Sequence, residues 1–284
     1  MSLISPEELL ARLGDPSLRM ADVRWWLADQ GKGRRDYEAA HIPGAVFVDM
    51  NTDLVATQGP GRHPLPSPAT FAARMVALGF DDDADIVAYD DAGGTIAARL
   101  WWMLDDLGHT RVRVLDGGLP AWIDAGGPVT AEIPAAPSTP GRLTLRGAWS
   151  RTIAREALVP RLGAVTVIDA RALERYRGDI EPIDPVAGHI PTAISRPTGG
   201  NLGPDGRFLD ASALRLRFEP LGDEVVTTCG SGITACHNAL AMRVAGLPDA
   251  ILYPGSYSDW SRAGLPVATG DQPGSFSARA AGSP

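Results

Sequence analysis

Short runs of β-branched and apolar residues alternate along the chain with longer segments of helical periodicity. The runs predicted as strands are 86–89, 111–115, 165–169 and 224–228. The clearest helix is predicted from about Thr234 to Ala245, directly after the last of these runs. This alternation predicts an α/β fold in which a parallel sheet is covered by helices on both faces.

Several helix starts are marked by a capping residue. These helix starts are predicted at Ser5-Pro6, Ser67-Pro68, Ser150 and Asp210. The first of these starts predicts a capped helix at the beginning of the sequence. No basic segment leads into an apolar run there, so a signal peptide is not predicted.

The chain contains one internal duplication. Four landmarks recur in the same order, at 20–24 and 167–171, 40–45 and 188–193, 86–90 and 225–229, and 115–122 and 253–260. An offset of about 140 residues is far too long for a solenoid repeat and indicates a duplicated domain. The predicted boundaries are 1–126 for the first domain, 127–149 for a proline-rich extended linker, 150–270 for the second domain and 271–284 for a disordered polar tail.

Length and charge narrow the functional classes. The 284 residues are 44% hydrophobic, which suits two ordinary globular cores. A net charge of −8 argues against nucleic acid and anionic membranes as partners. The most apolar stretch, Ile96 to Leu104, is short and carries Arg99, so no membrane span is predicted. The two cysteines, Cys229 and Cys236, are seven positions apart, one in a predicted loop and the other inside the following helix. A disulfide between them is disfavoured by this geometry, which fits a reducing cytoplasm.

The segment Cys229-Gly230-Ser231-Gly232-Ile233-Thr234 places one thiol between a predicted strand and a predicted helix. Its two glycines and lack of proline leave the N–H groups of Ser231 to Thr234 free to turn toward one anionic atom, which we expect to be the sulfur of Cys229. A helix N-terminus favours the thiolate, the nucleophilic form of cysteine. Cys229 is therefore the predicted nucleophile.

This loop, continued by Ala235-Cys236, closely resembles the active-site loop CGSGVTAC of the 3-mercaptopyruvate sulfurtransferases, within the tandem rhodanese-like superfamily. The resemblance extends over about residues 1 to 267. It implies two rhodanese-like domains and sulfur transfer through a persulfide on the loop cysteine.

Asp90 stands in the first copy where Cys229 stands in the second. An aspartate cannot carry a transferable sulfur, so the first domain is predicted to be catalytically silent. Its loops 41–49 and 59–66 remain candidates for pocket walls, because ligand sites favour the carboxyl ends of strands and domain interfaces.

The resemblance implies two further catalytic residues, Ser231 and His41, linked by proton transfer. Ser231 could also serve only as a cap, and the repeat of the His-Ile-Pro motif at His189, away from any second thiol, shows that His41 can be structural. Asp29 is the nearest candidate for an accompanying aspartate. Cys236 is expected to be a buried helix residue.

Arg175 matches the arginine that holds the substrate carboxylate in the resembling enzymes, and a planar guanidinium suits this task. Arg177 is its surface-exposed alternative. A second family arginine is replaced here by Ile183, and Arg62 is the predicted substitute. The remaining substrate-binding positions are the loop residues Gly230, Gly232, Ile233 and Thr234.

Two other classes are disfavoured. A cysteine-dependent phosphatase needs an arginine to close its loop, but position 235 is alanine, and a non-enzymatic sulfur-binding module is expected to lack the cysteine in both copies. The predicted function is transfer of sulfur from 3-mercaptopyruvate through a Cys229 persulfide to a thiol, such as that of thioredoxin, or to cyanide. No metal or organic cofactor is required. Thiosulfate is the alternative donor.

Overall fold

The computed structural model describes residues 2–135, 141–222 and 224–276. The chain divides into two compact units. The first contains 1–56, 65–150 and 202–208, and the second contains 57–64, 151–201 and 209–284. Each half of the chain therefore contributes one short segment to the other unit, a feature that the predicted boundaries at 126 and 150 did not include.

The first unit is built on a five-stranded parallel sheet with strand order β1-β5-β4-β2-β3. Its strands are β1 (Leu3–Ile4), β2 (Leu18–Asp22), β3 (Val46–Phe47), β4 (Asp85–Tyr89) and β5 (Val112–Leu115). Its helices are α1 (Pro6–Ala11), α2 (Lys32–Ala39), α3 (Pro68–Ala77), α4 (Ala97–Asp106) and α5 (Gly118–Asp124).

The second unit has a four-stranded parallel sheet with strand order β7-β6-β8-β9. The strands are β6 (Thr166–Asp169), β7 (Ile194–Ser195), β8 (Val225–Thr228) and β9 (Ile251–Leu252). The helices are α6 (Arg155–Leu158), α7 (Leu173–Arg177), α8 (Ala211–Phe218), α9 (Ala235–Val244) and α10 (Ser256–Arg262).

The central strands are buried on both faces, as expected when helices cover both sides of a parallel sheet. All four residues of β8 are buried, as are the last four of β4. The predicted α/β fold class is confirmed. Each core also contains an equivalent tryptophan: Trp122 Nε1 donates to the Pro128 carbonyl at 2.8 Å, and Trp260 Nε1 donates to the Pro266 carbonyl at 2.9 Å.

Three of the predicted helix starts are confirmed. The side chains of Ser5, Ser67 and Asp210 each accept a backbone N–H in the first turn of their helix. The prediction at Ser150 is wrong, because α6 begins at Arg155. The Ser150 N–H and hydroxyl instead donate to the Asp106 carboxylate, at 2.8 and 2.7 Å, within the first unit.

The proline-rich linker and the tail differ in part from their predictions. The segment after α5 pairs with the first unit through an antiparallel bridge between Thr130 and His41, and positions 136–140 of the linker lie outside the described residues. In the predicted tail, Thr192 N–H donates to the Pro273 carbonyl and Phe276 packs edge-on against Trp260. These contacts place residues up to 276 against the second unit, and 277–284 lie outside the described residues.

Candidate active site

Cys229 follows β8 directly and precedes the loop that leads into α9. Its side chain is 2% exposed. Within the loop, the N–H groups of Ser231 and Gly232 point at Cys229 Sγ, at N···S distances of 3.4 and 3.1 Å. Two backbone amide dipoles of the loop therefore face the sulfur, an arrangement that stabilises negative charge on it.

The two glycines of the loop each have a close neighbour, and at Gly232 that neighbour is backbone. Gly232 has a φ of +79°, and a Cβ there would collide with the carbonyl oxygen of Pro254. A Cβ at Gly230 would lie 2.9 Å from Arg62 Nη2 and 3.4 Å from Arg175 Nη1. Gly230 thus lets two guanidinium groups reach the backbone next to the nucleophile.

The connection between β9 and α10 holds the thiol from the other side. Tyr257 N–H donates to the Cys229 carbonyl at 3.0 Å. Ser256 Oγ accepts the Cys229 N–H at 3.1 Å, donates to the Tyr253 carbonyl at 2.9 Å and lies 4.0 Å from Cys229 Sγ. Ser256 adopts a φ of +52°, which is uncommon for a residue with a side chain. This backbone conformation brings a hydroxyl group beside the sulfur.

Two arginines lie over Gly230, and both are held by buried carboxylates. Asp184, whose side chain is fully buried, pairs through Oδ1 with Arg62 Nη1 and through Oδ2 with Arg175 Nη2, the latter at 3.2 Å. Glu181 accepts from Arg175 Nη2 at 2.7 Å and from Arg175 Nε at 3.2 Å. Arg62 and Arg175 were predicted from the sequence, and the structure brings both to the Cys229 loop.

Glu181 is held in its ionised form. Burial raises the pKa of this carboxyl group, but the Arg175 hydrogen bond and the N–H groups of Asp184 and Ile183 outweigh burial, and the net pKa is lowered from its ordinary value. Ile183 therefore contributes its backbone N–H to the charge network, and Arg62 is the second arginine whose guanidinium lies near Gly230. Arg177 instead forms a partly exposed ion pair with Asp271.

The histidine that contacts the loop serine is His63. Its Nδ1 lies 2.7 Å from Ser231 Oγ, and both side chains are buried. His63 neighbours Arg62 in the 57–64 segment, so one short stretch supplies both groups to the second unit. His63 was not among the residues predicted from the sequence, although the loop 59–66 that contains it was a candidate pocket wall.

The predicted catalytic role of His41 is corrected by its surroundings. His41 belongs to the first unit and is fully buried, with Nδ1 2.6 Å from the Tyr37 carbonyl and Nε2 3.1 Å from the Glu132 carbonyl. Its ring stacks on Tyr37 at 4.0 Å, and His189 stacks on Tyr176 at 3.7 Å in the same way. Each ring nitrogen of His41 and of His189 lies within hydrogen-bond distance of a backbone carbonyl, so the His-Ile-Pro motif makes equivalent contacts in both copies.

The contacts of the other two candidates, Asp29 and Cys236, are as follows. Asp29 forms an exposed ion pair with Arg35 and does not accompany a histidine. Cys236 is fully buried in α9, where its thiol contacts the Gly232 carbonyl at 3.5 Å. This contact supports the turn of the loop and agrees with the expected structural role of Cys236.

The equivalent loop of the first unit binds its own aspartate. Asp90 Oδ1 accepts the N–H groups of Ala92 and Gly94 at 2.9 and 2.8 Å. Its Oδ2 accepts those of Ile96 and Ala97, where α4 begins, at 2.7 and 2.9 Å. Four backbone donors are thus satisfied by one buried carboxylate, and the loop presents no nucleophile.

Comparison with protein families agrees with this geometry. The model of the rhodanese-like domain matches residues 5–125 and again residues 155–263. The chain belongs to the rhodanese family and carries two copies of its domain.

Relatives and solved structures extend the match over nearly the whole chain. A Pseudomonas aeruginosa protein named "Probable 3-mercaptopyruvate sulfurtransferase" is 45% identical, over 95% of this chain and 98% of its own length. The Mycobacterium tuberculosis protein SseB, named for thiosulfate sulfurtransferase, is 42% identical over 91% and 93% of the two chains. The Escherichia coli structure of SseA, titled as a 3-mercaptopyruvate sulfotransferase, matches with a TM-score of 0.78 and 28% identity, covering 91% of this chain and 99% of that one.

Two further properties concern only the described residues. None of their helices is both long enough and apolar enough to cross a membrane. Within the same ranges, no cluster of three or more His, Cys, Asp or Glu side chains has the geometry of a metal site.

Proposed function

We propose that the protein transfers sulfur from 3-mercaptopyruvate to a thiol or to cyanide through a persulfide on Cys229. The observation that carries this proposal is the combination around one loop of a thiol facing backbone N–H groups and two guanidinium groups over the adjacent Gly230. The thiol is placed for attack, and the guanidinium groups for a carboxylate.

In the first half-reaction, the Cys229 thiolate attacks the sulfur of the donor. The new S–S bond forms as the donor C–S bond breaks, and its electron pair stays on carbon as the enolate of pyruvate. The proton of the donor thiol is transferred to that enolate, for which the Ser231–His63 pair offers a hydroxyl and an imidazole in direct contact. The product on the enzyme is the Cys229 persulfide.

In the second half-reaction, an acceptor nucleophile takes the outer sulfur. Attack by a thiolate or by cyanide breaks the S–S bond, and the electron pair returns to Cys229 as thiolate. The loop N–H groups that face Cys229 Sγ stabilise this anion both before and after the transfer. Thioredoxin is a proposed thiol acceptor, and a cytoplasmic location is proposed because both cysteines are thiols and not halves of a disulfide.

Thiosulfate is the second candidate donor. It is favoured by the presence of two arginines beside the thiol and by the thiosulfate sulfurtransferases among the relatives. With this donor, attack on the outer sulfur would release sulfite.

The deciding experiment measures kcat/KM for 3-mercaptopyruvate and for thiosulfate side by side, with cyanide as the common acceptor. We expect the higher value for 3-mercaptopyruvate, because Gly230, Ser231 and Gly232 add no positive charge for a dianion. A higher value for thiosulfate would reverse the donor assignment, and no transfer from either donor would refute sulfur transfer itself.

A further inference from the structure

The two arginines beside Cys229 do not create a positively charged site. Arg62 and Arg175 together carry two positive charges, and the Asp184 and Glu181 carboxylates paired with them carry two negative charges. A third arginine, Arg171, forms a buried bidentate pair with Asp169, at 2.7 Å between Nη2 and Oδ2, and its Nη1 lies 3.2 Å from Glu181 Oε2. These three arginines and three carboxylates together carry no net charge.

Asp184 is central to this balance because it contacts both arginines. Its carboxylate occupies Arg62 Nη1 and Arg175 Nη2, while Arg62 Nη2 and Arg175 Nη1 are the nitrogens nearest to Gly230. Among the described residues, the structure gives these two nitrogens no hydrogen-bond partner. One terminal nitrogen of each guanidinium group therefore faces Gly230, the residue that follows Cys229.

We propose that Asp184 sets the choice of sulfur donor, by cancelling positive charge at the arginine pair so that a singly charged carboxylate binds in preference to the thiosulfate dianion. This inference rests on the proposed function and assigns its donor selectivity to a residue that contacts the arginines from behind. Asp184 is a specificity-determining residue and not a catalytic one.

The physical basis is the difference between one and two charges in a partly buried site. Two guanidinium nitrogens suffice to bind one carboxylate, and the buried Asp184 leaves no excess positive charge to offset a second negative charge. Bringing like charges together away from solvent costs free energy, and binding sites often use this repulsion to discriminate between related ligands. Asp184 therefore penalises thiosulfate more than 3-mercaptopyruvate.

The test is Asp184→Asn, which keeps the shape and an acceptor oxygen but removes the charge. We expect the ratio of kcat/KM for 3-mercaptopyruvate to that for thiosulfate to fall by roughly tenfold or more, with the value for thiosulfate rising. Asp179→Asn removes an exposed carboxylate of the same segment and is the matched control, expected to leave the ratio unchanged. Equal changes for both donors would mean that Asp184 only positions the arginines, which overturns the proposal.

A binding measurement separates this inference from the proposed function. Sulfate is an unreactive dianion, and its affinity can be measured by titration calorimetry whether or not either donor is turned over. Asp184→Asn should bind sulfate more tightly than the wild type, and Arg62→Gln, which changes the balance in the opposite direction, should bind it more weakly. An unchanged sulfate affinity in both variants would refute the charge argument, whereas a wild type that transfers no sulfur would refute only the proposed function.

Discussion

The Cys229 loop and the Asp90 loop use the same backbone design for opposite purposes. In the first unit, four N–H groups bind the Asp90 carboxylate, an anion that belongs permanently to the loop. In the second, the N–H groups of Ser231 and Gly232 face a sulfur that can become an anion and can bond to another atom. The comparison teaches that similar loops can direct backbone N–H groups at a fixed carboxylate or at a thiol, and that the residue at their centre decides which chemistry is available.

The surroundings of the two loops differ as much as their central residues. In the first loop, a Cβ at Gly93 would lie 2.5 Å from Leu202 Cδ1, and the ring of Phe208 is in van der Waals range of Gly94. The second loop is met by Arg62 and His63. In both units the covering segment comes from the other half of the chain, so these segments account for much of the functional difference.

A single backbone position shows how small a change separates the copies. Gly118 of the first unit and Ser256 of the second both have positive φ, of +61° and +52°, at the same place in the repeat. Glycine adopts this conformation readily, whereas serine incurs a steric cost. In the second unit, Ser256 brings its hydroxyl to the Cys229 N–H and near the sulfur.

The largest effect is expected when the predicted nucleophile of the second loop is removed. Cys229→Ser should abolish sulfur transfer to cyanide, because the hydroxyl that replaces the thiol cannot form a persulfide. Mass spectrometry after treatment with donor should find about 32 Da added to Cys229 in the wild type, the mass of one sulfur. Cys236→Ser should retain most of the activity, and added sulfur on Cys236 would show that the wrong thiol had been assigned.

The next largest effect is expected at the arginines that lie beside the second loop. Arg175→Ala should lose about 1–3 kcal/mol of transition-state stabilisation, a fall of roughly 5- to 150-fold in kcat/KM for 3-mercaptopyruvate, much of it in KM. Arg177→Ala removes an outer arginine of the same helix and serves as the control. If both variants have wild-type kinetics, the carboxylate of the donor is bound elsewhere.

The two histidines sharpen the distinction between catalysis and structure. His63→Ala should lower kcat by up to about 100-fold, because the Ser231 hydroxyl loses its proton partner. His41→Gln should retain kcat but lower the melting temperature, since both nitrogens of the buried ring are engaged by backbone carbonyls. The reverse result, loss of turnover in His41→Gln alone, would restore the catalytic role first expected for His41.

The smallest effect on activity is expected in the first loop. Asp90→Asn replaces an acceptor for four N–H groups with an amide that presents only one oxygen, and it should lower the free energy of unfolding by roughly 1–3 kcal/mol in urea titrations. The yield of Cys229 persulfide in the folded fraction should not change. Full stability of Asp90→Asn would mean that the first loop does not need an internal anion.

Most of the local structure could be predicted from the sequence. The β-branched run before Cys229 predicted β8, and the glycine-containing segment after it predicted the loop and α9. These elements could be predicted because each is determined by residues that are close together in the sequence. The duplicated landmarks aligned Asp90 with Cys229, and the structure gives both the same position after a central strand.

The contacts made by distant segments were much harder to predict. Arg62 was selected only as a substitute for the arginine missing at Ile183, and neighbouring His63 was not selected at all. His41 was preferred because its motif is recognisable, but that motif serves packing in both copies. Ser150 resembled a helix cap, yet its hydroxyl is bound by Asp106, a partner 44 positions away. Periodicity and capping patterns contain no information about such pairs.

The exchange of short segments has a consequence for the evolutionary history of this chain. After a duplication, a copy that has lost its nucleophile is normally free to decay or to be deleted. Here the first half of the sequence, which contains the Asp90 loop, also contains residues 57–64, which belong to the compact unit of Cys229. Substitutions in the first half of the sequence can therefore alter the surroundings of Cys229, and a deletion of that half would remove Arg62 and His63 together with the Asp90 loop.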